Sequence, residues 1–399
     1  MKIKEKLSEI PLAVNTVALG TMGISASLTC LTTEVYKSAN KMNLPMSGLY
    51  SLLGIHIFCI CVCIFYLTLL AIKLSIVGFQ KFKEDLVNPE LTGPLAVTLL
   101  DFCTLTNSFG WIYTNFITDS KTQWGLLLSV NIYTVIVVFF QITYFILFIK
   151  HIWFKKASWT GEIFASWFVP LIGVSITPGY INNLGDILPA LFWQIEWFIG
   201  FTTFAIMYPL VLYKFLFQPH THKKNIPSMA IYASPANMLS IGFLYAFDPH
   251  RLDHGYKSQS ALNNEIFYQV FAIMMFCWAA LSVCLYLIIF AKAMMLPKYS
   301  YSWGALTFPS SISATGNALY AHYLFINSHI TIYWTAIAFS VFLLTLSFII
   351  TVFVNVKYAR ELNRIFRGKV HLNNNNNQHN TPDLDSQIIT NVIPSLFEK

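Results

Sequence analysis

The chain has 399 residues, of which 56% are hydrophobic and only 11% are charged, and its mean hydropathy is +0.58. Soluble domains carry about 25% charged residues, so this composition excludes a chain built mainly of soluble domains. The formal net charge of +7 could attract an acidic partner, but the charges lie between long apolar stretches rather than in one basic cluster. We therefore expect an all-α integral membrane protein in contact with lipid, with no nucleic-acid partner.

Stretches of about 20 apolar residues predict the membrane helices. Six stretches without Asp, Glu, Lys or Arg lie between residues 9 and 34, 41 and 73, 121 and 150, 162 and 186, 224 and 248, and 265 and 292. The charge-free interval from Lys298 to Lys357 holds two more, divided by polar residues 327–329. Residues 91–116 and 188–217 are also apolar, although they contain Asp101 and Glu196. The sequence thus predicts ten spans.

These spans divide the chain into three parts. Residues 9–360 form the predicted membrane domain, residues 1–8 a short N-terminal segment, and residues 361–399 a tail. The tail contains five consecutive asparagines at 373–377. Because such a low-complexity polar run cannot build a core, we expect disorder from about residue 371.

The distribution of Lys and Arg predicts the topology, because cytoplasmic loops of membrane proteins are richer in basic residues. With a cytoplasmic N-terminus, 20 of the basic residues fall on the cytoplasmic side and 5 on the other side. We therefore expect a multi-pass protein of the plasma membrane with both termini in the cytoplasm. A signal peptide cleaved near residues 25–27 is an alternative, but the first apolar run is longer than a signal core.

Prolines recur on the odd-numbered spans. The third, fifth, seventh and ninth spans contain Pro94, Pro170, Pro235 and Pro309. Spans four, eight and ten contain no proline and span two has only Pro45 near its start, whereas span six departs from the pattern with Pro209. Because proline removes a backbone hydrogen bond and bends a helix, these positions predict kinked helices that line a path.

The odd-numbered spans also carry most of the small polar residues. The candidate polar residues of the path are Thr16, Ser25, Thr98, Asp101, Ser166, Ser234, Thr307 and Ser311. Five helical hairpins around a central pore explain both patterns, with odd helices inside and even helices facing lipid. Ordinary helix kinks and helix contacts are the alternative, because small polar residues are common at membrane-helix interfaces.

Several segments together carry a family resemblance. They are Trp303-Gly-Ala-Leu-Thr-Phe308-Pro309, Asn88-Pro89, Trp167-Phe168-Val169-Pro170, Tyr208-Pro209-Leu210 with Leu212-Tyr213-Lys214, and Ala233-Ser234-Pro235-Ala236. In this order they resemble the tellurite-resistance and dicarboxylate transporter family, which includes plant slow anion channels and fungal malate permeases. The resemblance spans roughly residues 9–360. It implies ten helices in five hairpins, a homotrimer with a pore in each subunit, and passage of anions.

The sequence departs from the family pattern in three places. Asn88 stands where the family usually has His, and Ser234 stands where it usually has Pro. Asp101 introduces a carboxylate into the third span, where an anion path would be expected to have none.

Phe308 is the candidate pore gate. The resemblance implies that its ring blocks the pore, and a bulky ring beside the Pro309 kink can also close a narrow lumen by dewetting. The alternative is packing against a neighbouring helix, as most of the 34 Phe residues must do. Because no Lys or Arg lies centrally in an odd span, such a pore would favour weakly hydrated monovalent anions such as chloride or nitrate.

Two transport functions remain open. The first is a passive anion channel, and the second is a proton-coupled carrier or exporter of organic acids such as malate, of sulfite or of tellurite. Asp101 and Glu196 motivate the carrier, because intramembrane carboxylates often relay protons, although they also form structural hydrogen bonds. The sequence has no P-loop, no His-Glu-x-x-His and no nucleophile elbow. We therefore expect no enzyme activity, cofactor or metal.

The topology is testable by labelling. A single cysteine at residue 255 should react with a membrane-impermeant thiol reagent on intact cells, whereas one at residue 375 should react only after permeabilisation. The reason is the division of 20 basic residues against 5. The background is a variant whose seven native cysteines are replaced. External labelling at residue 375 would contradict the topology.

Overall fold

The computed structural model describes residues 10–40, 44–154, 164–185, 187–217, 223–249, 265–296, 299–326 and 330–367. All regular secondary structure in these ranges is helical. The predicted N-terminal segment at 1–8 and the tail predicted to be disordered from about residue 371 lie outside the described residues.

The α-helices are numbered in chain order. They are α1 (Val14–Asn40), α2 (Met46–Val77), α3 (Phe79–Leu86), α4 (Thr92–Phe116), α5 (Ser120–Phe148), α6 (Phe168–Ile172), α7 (Ile181–Leu184), α8 (Ala190–Phe217), α9 (Ser234–Ala246), α10 (Glu265–Met294), α11 (Thr307–Ile326) and α12 (Ile330–Phe366). Four segments are wound as 3₁₀ helix, namely Ala165–Trp167, Gly173–Tyr180, Lys223–Ala233 and Tyr301–Leu306. A π-helical turn, Ile149–Trp153, extends α5.

Within the described residues, seven helices are long and apolar enough to cross a membrane: α1, α2, α4, α5, α8, α10 and α12. The segments predicted as the fifth, seventh and ninth spans differ from these seven. Each begins as 3₁₀ helix and continues as α-helix, and α11 is rich in Ser, Thr, Gly and Asn.

Prolines mark where the winding of these three segments changes. Pro235 lies in the first turn of α9, and Pro309 is the third residue of α11. Proline fits the first turn of a helix because its missing N–H has no intrahelical partner there. In the fifth segment, Pro170 lies in the short helix α6 and Pro178 in the following 3₁₀ segment. Pro170, Pro235 and Pro309 therefore lie at the starts of α-helices, whereas Pro178 lies inside a 3₁₀ segment.

Five segments contact one another in a closed ring, which we call the ring: α1, α4, residues 165–184, residues 223–246 and residues 301–326. Each packs against the next in this order, and α11 returns to α1. Outside the ring, α2 packs on α1, α5 on α4, and α12 on α11. Likewise α8 packs on residues 173–180 and α10 on residues 223–233 and α9.

Burial separates the seven long helices into two groups. The apolar windows of α1 and α4 are 83% and 72% buried, whereas those of α2, α5, α8, α10 and α12 are 28–39% buried. Large apolar side chains cover the outer surfaces of the second group, including Phe58, Phe139 and Phe348. An exposed apolar surface of this extent suits contact with lipid rather than water.

The ring depends on glycines that allow close backbone contact. A Cβ atom at Gly20 would collide with Thr307, one at Gly93 with Ser166, and one at Gly304 with Thr16. Small residues serve this purpose between membrane helices, where dispersion forces and hydrogen bonds replace the hydrophobic effect.

Local signals set the ends of several helices. Gly78 has φ +88°, which ends α2, and its N–H donates to Leu74 O at 3.1 Å. The Asp119 side chain accepts a hydrogen bond of 2.8 Å from Thr122 N and caps α5. The hydrogen bonds from Thr122 lower the pKa of the exposed Asp119 carboxyl.

The close approach of α4 to residues 181–184 is testable with one methyl group. A Cβ at Gly110 would collide with the carbonyl of Asn183, whose carbon would lie 2.9 Å away, whereas nothing lies within 4 Å of a Cβ at Gly54. We expect Gly110→Ala to destabilise the protein by about 1–3 kcal/mol, the usual cost of overpacking. Thermal unfolding in detergent measures this effect. Gly54→Ala is the control, and equal stability of the two variants would contradict the close approach.

Candidate functional site

A cavity of about 550 Å³ lies inside the ring. We call it the large cavity. Every ring segment contributes to its wall, and α2 adds His56 and Leu49. The large cavity extends toward the C-terminal end of α1, where Glu34, Asn115 and Tyr245 line it. The ring therefore encloses space rather than a packed core.

The wall of the large cavity is rich in hydroxyl and amide groups. Ser27 Oγ lies 2.7 Å from the carbonyl oxygens of Gly23 and Ser311 and 2.8 Å from Thr315 Oγ1. Deeper toward α4, Asn183 Nδ2 donates to Asn107 Oδ1 at 2.7 Å. No Lys or Arg occurs among the described residues of this wall. Neutral dipoles are therefore its main polar groups.

His56 is the polar residue that α2 contributes to the described wall of the large cavity. Its Nε2 lies 2.8 Å from Thr29 Oγ1, and its Nδ1 lies 3.1 Å from Ser108 Oγ. The imidazole stacks on Trp111 with ring centroids 4.4 Å apart. Because both ring nitrogens have hydroxyl partners, His56 joins α1, α2 and α4 as a fixed part of the wall.

A second cavity of about 40 Å³, the small cavity, lies nearer the start of α1. Its wall is mostly apolar and includes Leu19, Leu100, Phe168 and Ile172. A space of this size between apolar side chains is narrow for a hydrated ion. It is therefore much smaller and more apolar than the large cavity.

Phe308 stands between the two cavities. Among the described residues, only Phe308 and Met238 line both of them. The Phe308 side chain is 7% exposed, and a Cβ at Gly23 would lie 3.3 Å from Phe308 Cδ2. The aromatic ring thus lies where the polar space ends and the apolar constriction begins.

Outer helices fix the segment that carries Phe308. Tyr286 OH of α10 donates to Leu306 O at 3.0 Å, and Ser347 Oγ of α12 donates to Thr307 O at 3.3 Å. Tyr358 OH of α12 donates to Tyr301 O at 3.0 Å and lies 3.3 Å from Ala13 O. These hydroxyls donate to backbone carbonyls of the segment that carries Phe308 and tie it to the outer helices.

A family model described as voltage-dependent anion channel, SLAC1, matches residues 9–355 of the chain. The chain belongs to the SLAC1 family. The match covers nearly all of the predicted membrane domain and confirms the family indicated by the sequence motifs. None of the curated proteins compared with the chain matches it. Membership establishes a multi-pass membrane protein of an anion channel and transporter family, which is not a family of enzymes.

Within this SLAC1 fold, some of the residues selected from the sequence line a cavity. Phe308 lines both cavities and Ser311 the large one. The small cavity is lined by Thr16, Ser234, Pro235 and Pro309.

The remaining selected residues lie in contacts between or within segments. Those outside both cavity walls are Pro94, Pro170, Ser25, Thr98, Asp101, Ser166 and Thr307. Asn15 Nδ2 donates to Pro94 O and, at 2.9 Å, to Thr98 Oγ1, which joins α1 to α4. Ser25 Oγ donates to Met22 O at 2.8 Å within α1, and Thr307 Oγ1 donates to Thr16 O at 3.2 Å.

The two intramembrane carboxylates also lie outside the cavity walls. Asp101 is fully buried, and neither of its carboxylate oxygens has a hydrogen-bond partner among the described residues. Glu196 is 2% exposed and accepts a hydrogen bond from the Thr177 hydroxyl. The described ranges contain no cluster of three or more His, Cys, Asp or Glu side chains that could hold a metal ion.

Sequence reasoning did not select His56, Asn107, Asn183 or Glu34. Intervals that lack Asp, Glu, Lys and Arg can still contain histidine, and His56 lies within the apolar run of α2. Asn107 lies on the same span as the selected Thr98 and Asp101, so polarity along that span could have indicated it. Glu34 was used only to mark the end of the first span.

Proposed function

We propose that this SLAC1-family protein is a passive channel of the plasma membrane that conducts small monovalent anions, such as chloride and nitrate. The observation that carries the proposal is the position of Phe308 between a polar cavity and an apolar constriction. In this proposal each subunit of a homotrimer contains its own pore, and the Phe308 ring is the gate. A hydrophobic ring at a narrow point closes a pore by dewetting.

The proposed architecture has ten membrane helices arranged as five hairpins. Two observations support it: the five segments of the ring contact one another in sequence, and α1 and α4 are far more buried than their partner helices. The odd-numbered helices are then inner and the even-numbered helices face lipid. The short, broken segments inside the ring are compatible with a membrane, because they line a cavity rather than contact lipid.

The lining of the large cavity supports selection by hydration cost. Hydroxyl and amide groups such as Ser27, Asn183 and Thr315 line it, and Lys and Arg do not occur among its described residues. Neutral dipoles replace only part of a hydration shell, so anions that lose water easily are favoured. Weakly hydrated monovalent anions meet this condition better than dicarboxylates do.

The gate is tested by removing the ring. We expect Phe308→Ala to raise anion current per molecule several-fold, with Phe308→Leu giving an intermediate rise, because the constriction widens as the side chain shrinks. The measurement is chloride and nitrate current in liposomes at matched protein amount.

Phe204→Ala is the matched control. Phe204 is 3% exposed and packs on Tyr208 and Trp278, away from both cavities. Truncation there should cost about 3–5 kcal/mol of stability without a gain of current. If Phe308→Ala behaves as this control does, Phe308 is a packing residue and the gate proposal fails.

A proton-coupled carrier is the second candidate function. The observation that favours it is Asp101, a fully buried carboxylate without a hydrogen-bond partner among the described residues. Such groups relay protons in many transporters. Asp101 lies outside both cavity walls, which favours the channel over the carrier.

Reversal potentials separate the two candidates. We expect Asp101→Asn to retain anion flux and its pH response, and we expect the wild-type reversal potential to follow the anion gradient alone. Glu196→Gln is the control, because Glu196 is a second buried carboxylate outside the cavity walls. A reversal potential that shifts with a pH gradient in the wild type, and no longer shifts in Asp101→Asn, would support the carrier instead.

A further inference from the structure

A carboxylate and an imidazole lie close together near the C-terminal end of α1, at one end of the large cavity. Glu34 of α1 and His322 of α11 face each other, with Glu34 Oε2 and His322 Nδ1 2.8 Å apart. The contact is an ion pair when the imidazole is protonated. The Glu34 side chain is 9% exposed and that of His322 is 34% exposed. The histidine is therefore the member open to solvent.

Glu34 is the acidic residue of the cavity wall. The described residues that line the large cavity include no Asp, no second Glu, no Lys and no Arg. A single carboxylate in a cavity with low-dielectric walls sets the sign of the potential there, because such walls focus its field. An unneutralised Glu34 would repel every anion that enters.

We propose that Glu34 and His322 form a proton-controlled entry filter for anions. The proposal rests on the proposed channel function. With a neutral imidazole, the pair carries one negative charge, and anions are repelled from the large cavity. When His322 binds a proton, the pair is neutral overall and anions enter. Proton binding at this mouth thus regulates the anion occupancy of the cavity ahead of the Phe308 gate.

The direction of the pH effect follows from the charges. An imidazole is positively charged only when it has bound a second proton, so acidification of the solution at this mouth neutralises the pair and raises anion current. The filter changes conductance without moving the reversal potential, unlike proton coupling.

Other titratable groups surround the pair. His56 of α2 lies on the same cavity wall, with both nitrogens engaged by hydroxyls. Tyr323 lies beside His322 on α11, and the charge of Glu265 at the start of α10 acts on Tyr323. From α12, Tyr333 packs in the same cluster of side chains as residues of α1 and α11. The described α4 residues of the cavity wall carry no charge.

Three variants test the filter. Glu34→Gln removes the negative charge at nearly constant volume, so current at about pH 8 should rise about three- to tenfold and its pH dependence should disappear. His322→Gln leaves Glu34 without a neutralising partner, so current should stay low down to about pH 5.5. The double variant should match Glu34→Gln, because His322 has no charge left to neutralise.

The controls use residues of the same type elsewhere. His151→Gln changes a histidine in the turn after α5, and Glu361→Gln changes an acid of α12 that pairs with Arg364 and does not line the cavity. Both should retain the wild-type pH dependence. Anion current with a pH dependence that survives in Glu34→Gln, or an unaltered response in His322→Gln, would overturn the filter.

Failure of the filter is distinguishable from failure of the channel function. If neither the wild type nor Phe308→Ala conducts anions at any pH, the channel proposal fails and the filter fails with it. If both conduct but Glu34→Gln leaves the pH ratio unchanged, only the filter fails. Thermal unfolding of each variant in detergent identifies any that do not fold, and Glu34→Asp, which keeps the charge, should then preserve the pH response.

Discussion

The contact between α1 and α11 sets the position of Phe308 in the proposed pathway. Gly20 and Gly23 of α1 leave no room for a side chain against Thr307 and Ser311 of α11. Phe308 is held between these two contacts, with its ring against the backbone of Gly23. A larger residue at Gly20 or Gly23 would push α1 and α11 apart and move the Phe308 side chain from its position between the cavities. The proposed gate of one side chain therefore requires this close backbone packing.

Buried carbonyls impose a second condition. Each proline of an inner segment lacks the N–H that would donate to a carbonyl of the preceding turn, and lipid supplies no donors. The hydroxyls of Tyr286, Ser347 and Tyr358 supply donors around α11. The same bonds prevent the inner segment from sliding along its neighbours. The contacts that satisfy these backbone carbonyls thus also position Phe308.

Much of the fold follows from the sequence because lipid imposes strong rules on composition. Apolar length indicated the long helices, and the motif around Phe308 and Pro309 indicated the family that the match over residues 9–355 confirms. The prolines marked the broken segments, but their effect depends on their place in the helix. Pro235 and Pro309 begin helices rather than bend them, and composition alone does not fix helix starts.

The walls of the cavities were harder to predict. Sequence reasoning chose Asp101 as the carboxylate of concern, yet Asp101 lies outside both walls and Glu34 lines the large one. Which face of a helix meets a cavity depends on its rotation within the bundle. A rotation of one residue, about 100° in an α-helix, exchanges a pore-lining position for a packed one. Polarity along a span does not determine that rotation. His56 lines the large cavity although it lies on α2, a helix predicted to face lipid.

The length of α12 has a mechanical consequence. Its 37 residues span about 55 Å at 1.5 Å per residue, whereas the hydrocarbon of a bilayer is about 30 Å thick. The final turns, with Arg360 and Arg364, therefore extend into water as a rigid lever. Tyr358 fastens the base of this lever to Ala13 and Tyr301, the latter seven residues before Phe308. Through these two hydrogen bonds, the protruding end of α12 is tied to the segment that leads into Phe308.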